Sequence, residues 1–340
     1  ADKSRSQRPP RPPTDNRWKT RMSILVTGGA GYIGSHMVHA LVDRGETVVV
    51  LDNLSTGYDA VLPEAARLVV GDIGDGALVD RLIAEHGVTG IAHFAGSIVV
   101  PDSVTDPLSY YENNTVKSRA LIAAAVRGKV QAFLFSSTAA VYGEPGVDLI
   151  SEQVPLGPVS PYGSSKWMTE IMLRDSAIAY GFRYAALRYF NVAGADPKGR
   201  TGQSSRRATH LIKIAAQAAL GQRDGMDVFG TDYPTPDGTC LRDYIHVSDL
   251  IEAHVLTLMH LMAGGDTFVA NAGYGRGFSV LEVIDAVKRV SGVDFPVRMA
   301  PRRAGDPPAL AADSTRLRSI TGWQPRLDNL DTIVAHALNW

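Results

Sequence analysis

The chain has 340 residues, 45% hydrophobic and 20% charged, with a net charge of −1, which suits a soluble globular protein of one large domain or of two sharing a cleft. So small a charge gives no footing on nucleic acid or an anionic membrane surface, and no run of about 18 apolar residues exists to span a bilayer. The single cysteine, Cys240, excludes a disulfide framework and a multi-cysteine zinc site, and fits a reducing, cytoplasmic compartment. Charge is uneven along the chain: residues 1–21 carry +5 and the remainder −6.

Residues 1–22 (ADKSRSQRPPRPPTDNRWKTRM) read as a flexible tail. They hold no apolar stretch for a secretory signal, and Pro9, Pro10, Pro12 and Pro13 would break an amphipathic transit helix. From Ser23 onward, short β-branched runs alternate with longer helical periods. Ile24–Val26, Thr47–Leu51, Arg67–Val70, Ile91–Phe94, Ala132–Phe135 and Tyr184–Leu187 predict strands buried on both faces. Ser35–Arg44, Ala77–His86 and Tyr110–Arg127 predict the helices between them. The alternation implies an α/β fold, a doubly wound parallel sheet. After Asn191 the rhythm loosens; 196–207 and 230–239 are rich in Gly, Pro, Ser and Asp and read as loops. A smaller second domain is expected there, against the open edge of the first.

TGGAGYIG (27–34) follows the first predicted strand and precedes a helix. Gly28 and Gly31 permit a tight turn and close approach of backbone to a pyrophosphate, Gly34 lets helix and strand pack closely, and the helix N-terminus favours negative charge. A glycine triad is equally compatible with plain turn chemistry. The second strand adds weight, because VVVLDN carries Asp52 where a carboxylate would bind an adenosine ribose. That acid would repel a 2′-phosphate, so NAD is favoured over NADP. Gly71-Asp72-Ile73, Phe94-Ala95-Gly96, Ser136-Ser137-Thr138 and Arg188-Tyr189-Phe190-Asn191 fall where further strands end, the edge on which open α/β sheets bind ligands.

SPYGSSK (160–166) places Tyr162 and Lys166 one helical turn apart. Ser160 can cap the helix and Pro161 can open it. Tyr162 then lies in the first turn, where the macrodipole favours a phenolate, and Lys166 shares its face. An ordinary tyrosine, pKa about 10, is roughly 0.1% ionised at pH 7. Lys166 and an oxidised nicotinamide would push that pKa down towards the range of a general base. The heptapeptide also reads as a surface lysine and a half-buried tyrosine on an amphipathic helix; Thr138, a hydroxyl at a central strand end, favours the catalytic reading. His36 and His39 lack a third ligand and read as packing, so no metal site is expected.

With these motifs the chain resembles the extended short-chain dehydrogenase/reductase family, in its NAD-dependent epimerase/dehydratase branch. The resemblance runs through ILVTGGAGYIGSH (24–36), LDNLSTG (51–57), FSSTAAVYGE (135–144), SPYGSSKWMTE (160–170), LRYFNVAGADP (187–197), FGTDYPTPDGTCLRDYIHVSDL (229–250) and APRRAGDPPAL (300–310). It implies a Rossmann-type NAD-binding domain over 23–190 plus about 241–270, and a smaller α+β nucleotide-sugar domain over 191–240 and 271–340. The implied activity is C4 epimerisation of a UDP-hexose, with bound NAD as transient oxidant and Tyr162, Lys166 and Thr138 as the catalytic set. The family's NAD contacts carry over to Gly28, Gly31, Tyr32, Ile33, Gly34, Asp52, Asn53, Asp72, Ile73, Phe94, Ala95, Asn113, Tyr162, Lys166 and Phe190. Its nucleotide-sugar contacts carry over to Thr138, Asn191, Phe229, Arg242, Arg303 and Asp306. A homodimer through the helices around Tyr110–Arg127 and Ser164–Tyr180 is implied as well. Asp243, His246 and Tyr142 read as structural.

Several positions depart from the pattern. Thr138 stands where many members carry serine, and the hydroxyl survives. Ile98 replaces a lysine that contacts the cofactor in some members. His210 occupies the place of a substrate-contacting asparagine and is retained as a substrate contact. Leu310 stands at a position that sets pocket width, intermediate between a tyrosine that restricts the site and a small residue that admits N-acetylhexosamines, so UDP-N-acetylglucosamine and UDP-pentoses stay open as substrates. Dehydratases of the family carry an Asp-Glu pair after the threonine; Ala139 and Ala140 cannot move a proton, which favours epimerisation. A non-catalytic NAD-sensing protein on the same fold would lack the tyrosine or lysine, and both are present.

Overall fold

The computed structural model describes residues 22–205, 210–302 and 307–340, so the expected tail lies outside the described residues apart from Met22. Strands β1 (Ser23–Thr27), β2 (Thr47–Asp52), β3 (Arg67–Val70), β4 (Gly90–His93) and β5 (Ala132–Ser136) join the strands Arg183–Tyr189 and Phe268–Ala272 in one seven-stranded sheet. Its order from edge to edge is Phe268–Ala272, Arg183–Tyr189, β5, β4, β1, β2, β3, and every neighbouring pair is parallel. The strand order reverses between β1 and β4, and a crevice opens at the carboxyl ends of such a pair.

The apolar runs are continuous because both faces are covered. Ile24 and Val26 point into one core with Val38, Val50 and Leu258, while Leu25 points into the other with Leu82, Leu121 and Phe133, the alternation a pleated strand imposes. Helix α1 (Tyr32–Asp43) lies on the first face and α2 (Gly76–His86) on the second. Two boundaries differ from the periodicity. The first helix starts at Tyr32, directly off the glycine turn. The long helix expected over 110–127 is three pieces, with a wider π-type turn at Tyr111–Val116 between Pro107–Tyr110 and Lys117–Arg127. Asn114 sits in that turn, and its amide takes Ser97 N–H at 2.7 Å and donates to Ser97 O and Ser165 Oγ. A side chain wedged into backbone partners outside the helix is a common setting for such bulges.

Outside the seven-stranded sheet the strands are short. Phe278–Ser279, Leu241–Arg242, Ala309–Ala312 and Leu149–Ile150 form a four-stranded sheet, and two further strand pairs join Asn191–Ala193 to Tyr244–His246 and Met226–Phe229 to Val297–Ala300. Helices Leu211–Ala219, Val280–Ser291 and Leu330–Asn339 share a third core. Helix Val247–Met262 packs on the seven-stranded sheet, as do Leu317 and Trp323, the latter donating from its indole to Asp249 O at 2.9 Å. Asp243 accepts from the backbone N–H groups of Tyr274, Gly275 and Ala312 and so ties three segments together. Tyr142 donates to Asn271 Oδ1 at 2.7 Å.

Buried histidines give this core a pH signature. Burial holds His93 and His246 down at about 3, and His36 and His254 at about 4. Their unfolded value is about 6.5. Between pH 6.5 and about 4 the unfolded chain therefore binds more protons than the folded one, and stability falls with pH at about 1.4 kcal/mol per pH unit for each fully shifted histidine. The urea midpoint is expected to be clearly lower at pH 5 than at pH 7; equal midpoints would contradict the assignment.

Candidate active site

At the end of β1 the chain turns through Gly28, whose φ is +69°. A Cβ on Gly28 would stand 2.5 Å from Ala95 N, and one on Gly34 would stand 2.1 Å from Gly28 O. At Gly31 it would meet only Gly28 O, at 3.2 Å. Two of the three glycines are thus sterically required: one where the β1 turn presses on the loop after β4, one where α1 rises beneath that turn. The resulting backbone cradle opens onto a cavity of about 880 Å³.

Asp52, at the end of β2, is 8% exposed; its carboxylate accepts from Ala30 N–H at 2.9 Å and Leu54 N–H at 2.8 Å. It therefore braces the glycine turn and lines the cavity at once. Asp72 pairs with Lys117 at 2.6 Å; burial pushes its carboxyl up, but the Lys117 ammonium together with the bonds from Gly74 N–H and Asn53 holds it below the usual range. Tyr32, Ile33, Asn53, Ile73, Phe94, Ala95, Asn113 and Phe190 line the same cavity. Asn113 donates to Ser97 Oγ at 2.9 Å.

The helix Pro161–Tyr180 begins as its sequence dictates. Ser160 Oγ accepts from Gly163 N–H at 3.2 Å and Pro161 fills the first position. Tyr162 is 8% exposed and faces the cavity beside Thr138, Ala139 and Ala140. Burial pushes its phenol up, and a hydrogen bond with the Thr138 hydroxyl pulls it back. Lys166 is 4% exposed, behind the wall rather than on it, with its ammonium 4.4 Å from the Phe135 ring centre. Burial lowers it to about 7, with Glu170 acting against that. Burial thus dominates both groups, and the lowering of Tyr162 comes from Thr138 rather than from Lys166 as expected; an oxidised nicotinamide in the cavity would act on the phenol in the opposite sense to burial.

Asn191, His210, Arg242 and Leu310 line the cavity as well. Arg242 donates to the carbonyls of Leu241 and Pro307, both at 2.9 Å. Burial, then the Lys213 charge, lower His210. Phe229 ends its strand outside this lining, and Arg303 and Asp306 lie outside the described residues. The sequence reading passed over Tyr189, whose hydroxyl accepts from Ser136 at 2.9 Å, and Gln203, whose amide lies 3.3 Å from His210 Nδ1; both line the cavity. Tyr189 stands inside the quoted RYFN, and Gln203 carries no sequence signal. His36 and His39 bond the carbonyls of Tyr32 and Val61, and among the described residues no group of three or more metal-binding side chains occurs.

A reversed parallel sheet, a glycine cradle at its switch point and a Tyr-x-x-x-Lys helix beside it define a dinucleotide-dependent enzyme of the Rossmann type. The profile of the NAD dependent epimerase/dehydratase family matches residues 24–273, and the chain belongs to that family. It is 56% identical over 317 residues to a UDP-glucose 4-epimerase of Azospirillum brasilense, covering 93% of this chain and 91% of that one. A crystal structure of UDP-glucose 4-epimerase from Brucella ovis in complex with NAD superposes with a TM-score of 0.91 at 44% identity, covering 93% of this chain and 97% of that one. The enzyme from Bifidobacterium longum, in complex with NAD+ and UDP, gives 0.88 at 37% identity, covering 94% and 98%.

Proposed function

We propose that the chain interconverts UDP-glucose and UDP-galactose by epimerisation at C4. The observation that carries this reading is the pairing of the Tyr162 phenol with the Thr138 hydroxyl at the cavity, where Ala139 and Ala140, directly after Thr138, offer nothing that moves a proton. Elimination of water needs a further acid and base; a reversible oxidation at C4 needs one base. Product analysis by mass spectrometry after incubation with UDP-glucose tests it. An isomer of unchanged mass is expected, and a product lighter by one water would overturn it.

NAD, held by the glycine cradle, Tyr32, Ile33, Asp52, Asn53, Asp72, Ile73, Phe94, Ala95, Asn113 and Phe190, supplies a reversible hydride acceptor at the sugar carbon. The cradle fits a dinucleotide because no side chain fills it. Tyr162 takes the proton of the 4-hydroxyl and later returns it; Thr138 bonds the same oxygen and holds it against the phenol. Lys166 places positive charge behind them, which favours the phenolate. Asn191 and His210 grip the nucleotide sugar and Arg242 binds its diphosphate through charge-assisted bonds; Arg303 as a second diphosphate ligand, and Phe229 and Asp306 as nucleotide contacts, rest on the family resemblance alone. Residues 23–190 with about 241–270 would form the NAD-binding domain, and 191–240 with 271–340 the sugar-nucleotide domain.

Leu310 lines the cavity and sets its width. Leu310→Ala is expected to raise the ratio of N-acetylhexosamine to hexose turnover, and Leu310→Tyr to lower it by about 10-fold or more, a typical discrimination for pocket size. UDP-glucose, UDP-galactose and their N-acetyl forms assayed side by side give the ratio; no change in either variant would remove Leu310 from the specificity pocket.

The helices Val100–Thr105 and Pro161–Tyr180 expose Val104 (62%) and Met168 (41%), with Leu108 (78%) and Val116 (50%) between them in sequence. An apolar face of this kind suits a second copy of the chain, and a homodimer is the proposed assembly. Light scattering should give twice the chain mass, and Leu108→Asp should halve it. The activity and the lone, buried Cys240 suit a cytoplasmic enzyme of galactose metabolism, and among the described residues no helix is long and apolar enough to cross a membrane.

A further inference from the structure

We infer that Glu170 is a positioning residue for the Tyr162–Thr138–Lys166 site, its buried carboxylate locking the catalytic helix to the end of β5. This rests on the epimerase reading above. Glu170 lies one turn beyond Lys166 and is 5% exposed. Its Oε1 accepts from Ser137 Oγ at 2.5 Å and from Arg188 Nε at 3.0 Å, and its Oε2 accepts from Arg188 Nη2 at 2.6 Å. Ser137 is the residue before Thr138, and Arg188 lies on the strand paired with β5. Arg188 continues the chain of bonds to the Tyr142 hydroxyl at 3.0 Å.

Stability alone gives little reason for this arrangement, because a buried ion pair is often no better than an apolar pair of the same volume. What it adds is direction. Three bonds with fixed geometry set how far the helix carrying Tyr162 stands from the strand end carrying Thr138, and both hydroxyls must reach one substrate oxygen. A slip of about 1 Å in such a pair costs about 10²-fold in rate.

Glu170 also acts through charge. Burial disfavours the Lys166 ammonium, and Glu170 opposes that. The other titratable groups near Lys166 are Tyr162 on its own helix and His93 at the end of β4. Around Glu170 stand Arg188 and Tyr184 on the neighbouring strand.

The test compares NAD-loaded wild type, Glu170→Gln and the double variant Glu170→Met/Arg188→Met in Tm, kcat, KM and the pH dependence of kcat. Glu170→Gln is expected to lower kcat about 10- to 100-fold, leave KM within about threefold, and move the basic limb of the kcat profile to lower pH. The double variant should regain Tm while kcat stays low and the limb stays shifted. If the double variant recovers kcat and the wild-type limb along with Tm, or if Glu170→Gln changes neither, Glu170 is structural only. Should Glu170→Gln fail to fold, the double variant decides by the same criterion. An active wild type with unaffected variants overturns this assignment alone; an inactive wild type overturns the epimerase reading as well.

Discussion

Tyr162→Phe is expected to lower kcat for UDP-glucose epimerisation by about 10³-fold, the middle of the range for removing a general acid–base group. The substitution removes one oxygen and leaves the ring in place, so the fold and the NAD cradle should be untouched. Thr138 stays, but an aliphatic hydroxyl is too weak a base to take up the proton; it accepts from Ala140 N–H at 3.1 Å and bonds the Tyr162 phenol in the wild type. The loss should therefore appear in kcat, with bound NAD and Tm close to wild type. Steady-state kinetics with a melting curve on the same sample decides it. Turnover within about threefold of wild type would remove Tyr162 from the chemistry.

Gly28→Ala should act on the other half of the site. The new methyl would stand 2.5 Å from Ala95 N and 2.7 Å from Ala95 Cα, both backbone atoms, so one of the two loops must move. Overpacking costs about 1–3 kcal/mol, and a left-handed non-glycine residue adds about 1–2 kcal/mol. Because the loops that must part are the two that cradle the dinucleotide, the purified variant should retain less than about a tenth of the wild-type NAD, equivalent to about 1.4 kcal/mol or more of lost affinity. Nucleotide released by heat denaturation measures this directly. Wild-type NAD content would mean that the dinucleotide lies elsewhere.

The central sheet was legible because its strands are buried on both faces: Ile24–Val26 and Val48–Leu51 have no polar positions to blur the run. Gly28, Gly34 and Asp52 were legible for a different reason, since each meets a steric or hydrogen-bonding demand that only its residue type satisfies. The strands Leu149–Ile150, Leu241–Arg242 and Phe278–Ser279 have two residues each, too few for a period to show. Trp323 joins the core on one face of the seven-stranded sheet from the far end of the chain, a contact no local pattern encodes. The π-type turn at Tyr111–Val116 does not show in the periodicity, and the bonds of its Asn114 to Ser97 and Ser165 are tertiary contacts that no local pattern encodes. Glu170 was in plain view four residues after Lys166, but its meaning depends on Ser137, just past β5, and Arg188, on the neighbouring strand. Tyr162 and Lys166 were found by spacing, while their protonation behaviour was not, because the burial that dominates it follows from packing.

The most direct test of the account uses UDP-glucose carrying deuterium at C4, incubated with the enzyme in ordinary water. Oxidation and reduction at C4 inside one closed site, with Tyr162 handling only the hydroxyl proton, keep the C4 hydrogen away from solvent. UDP-galactose should therefore form with the deuterium still on C4. Product with protium at C4, or no UDP-galactose at all, would contradict a reversible oxidation at that carbon.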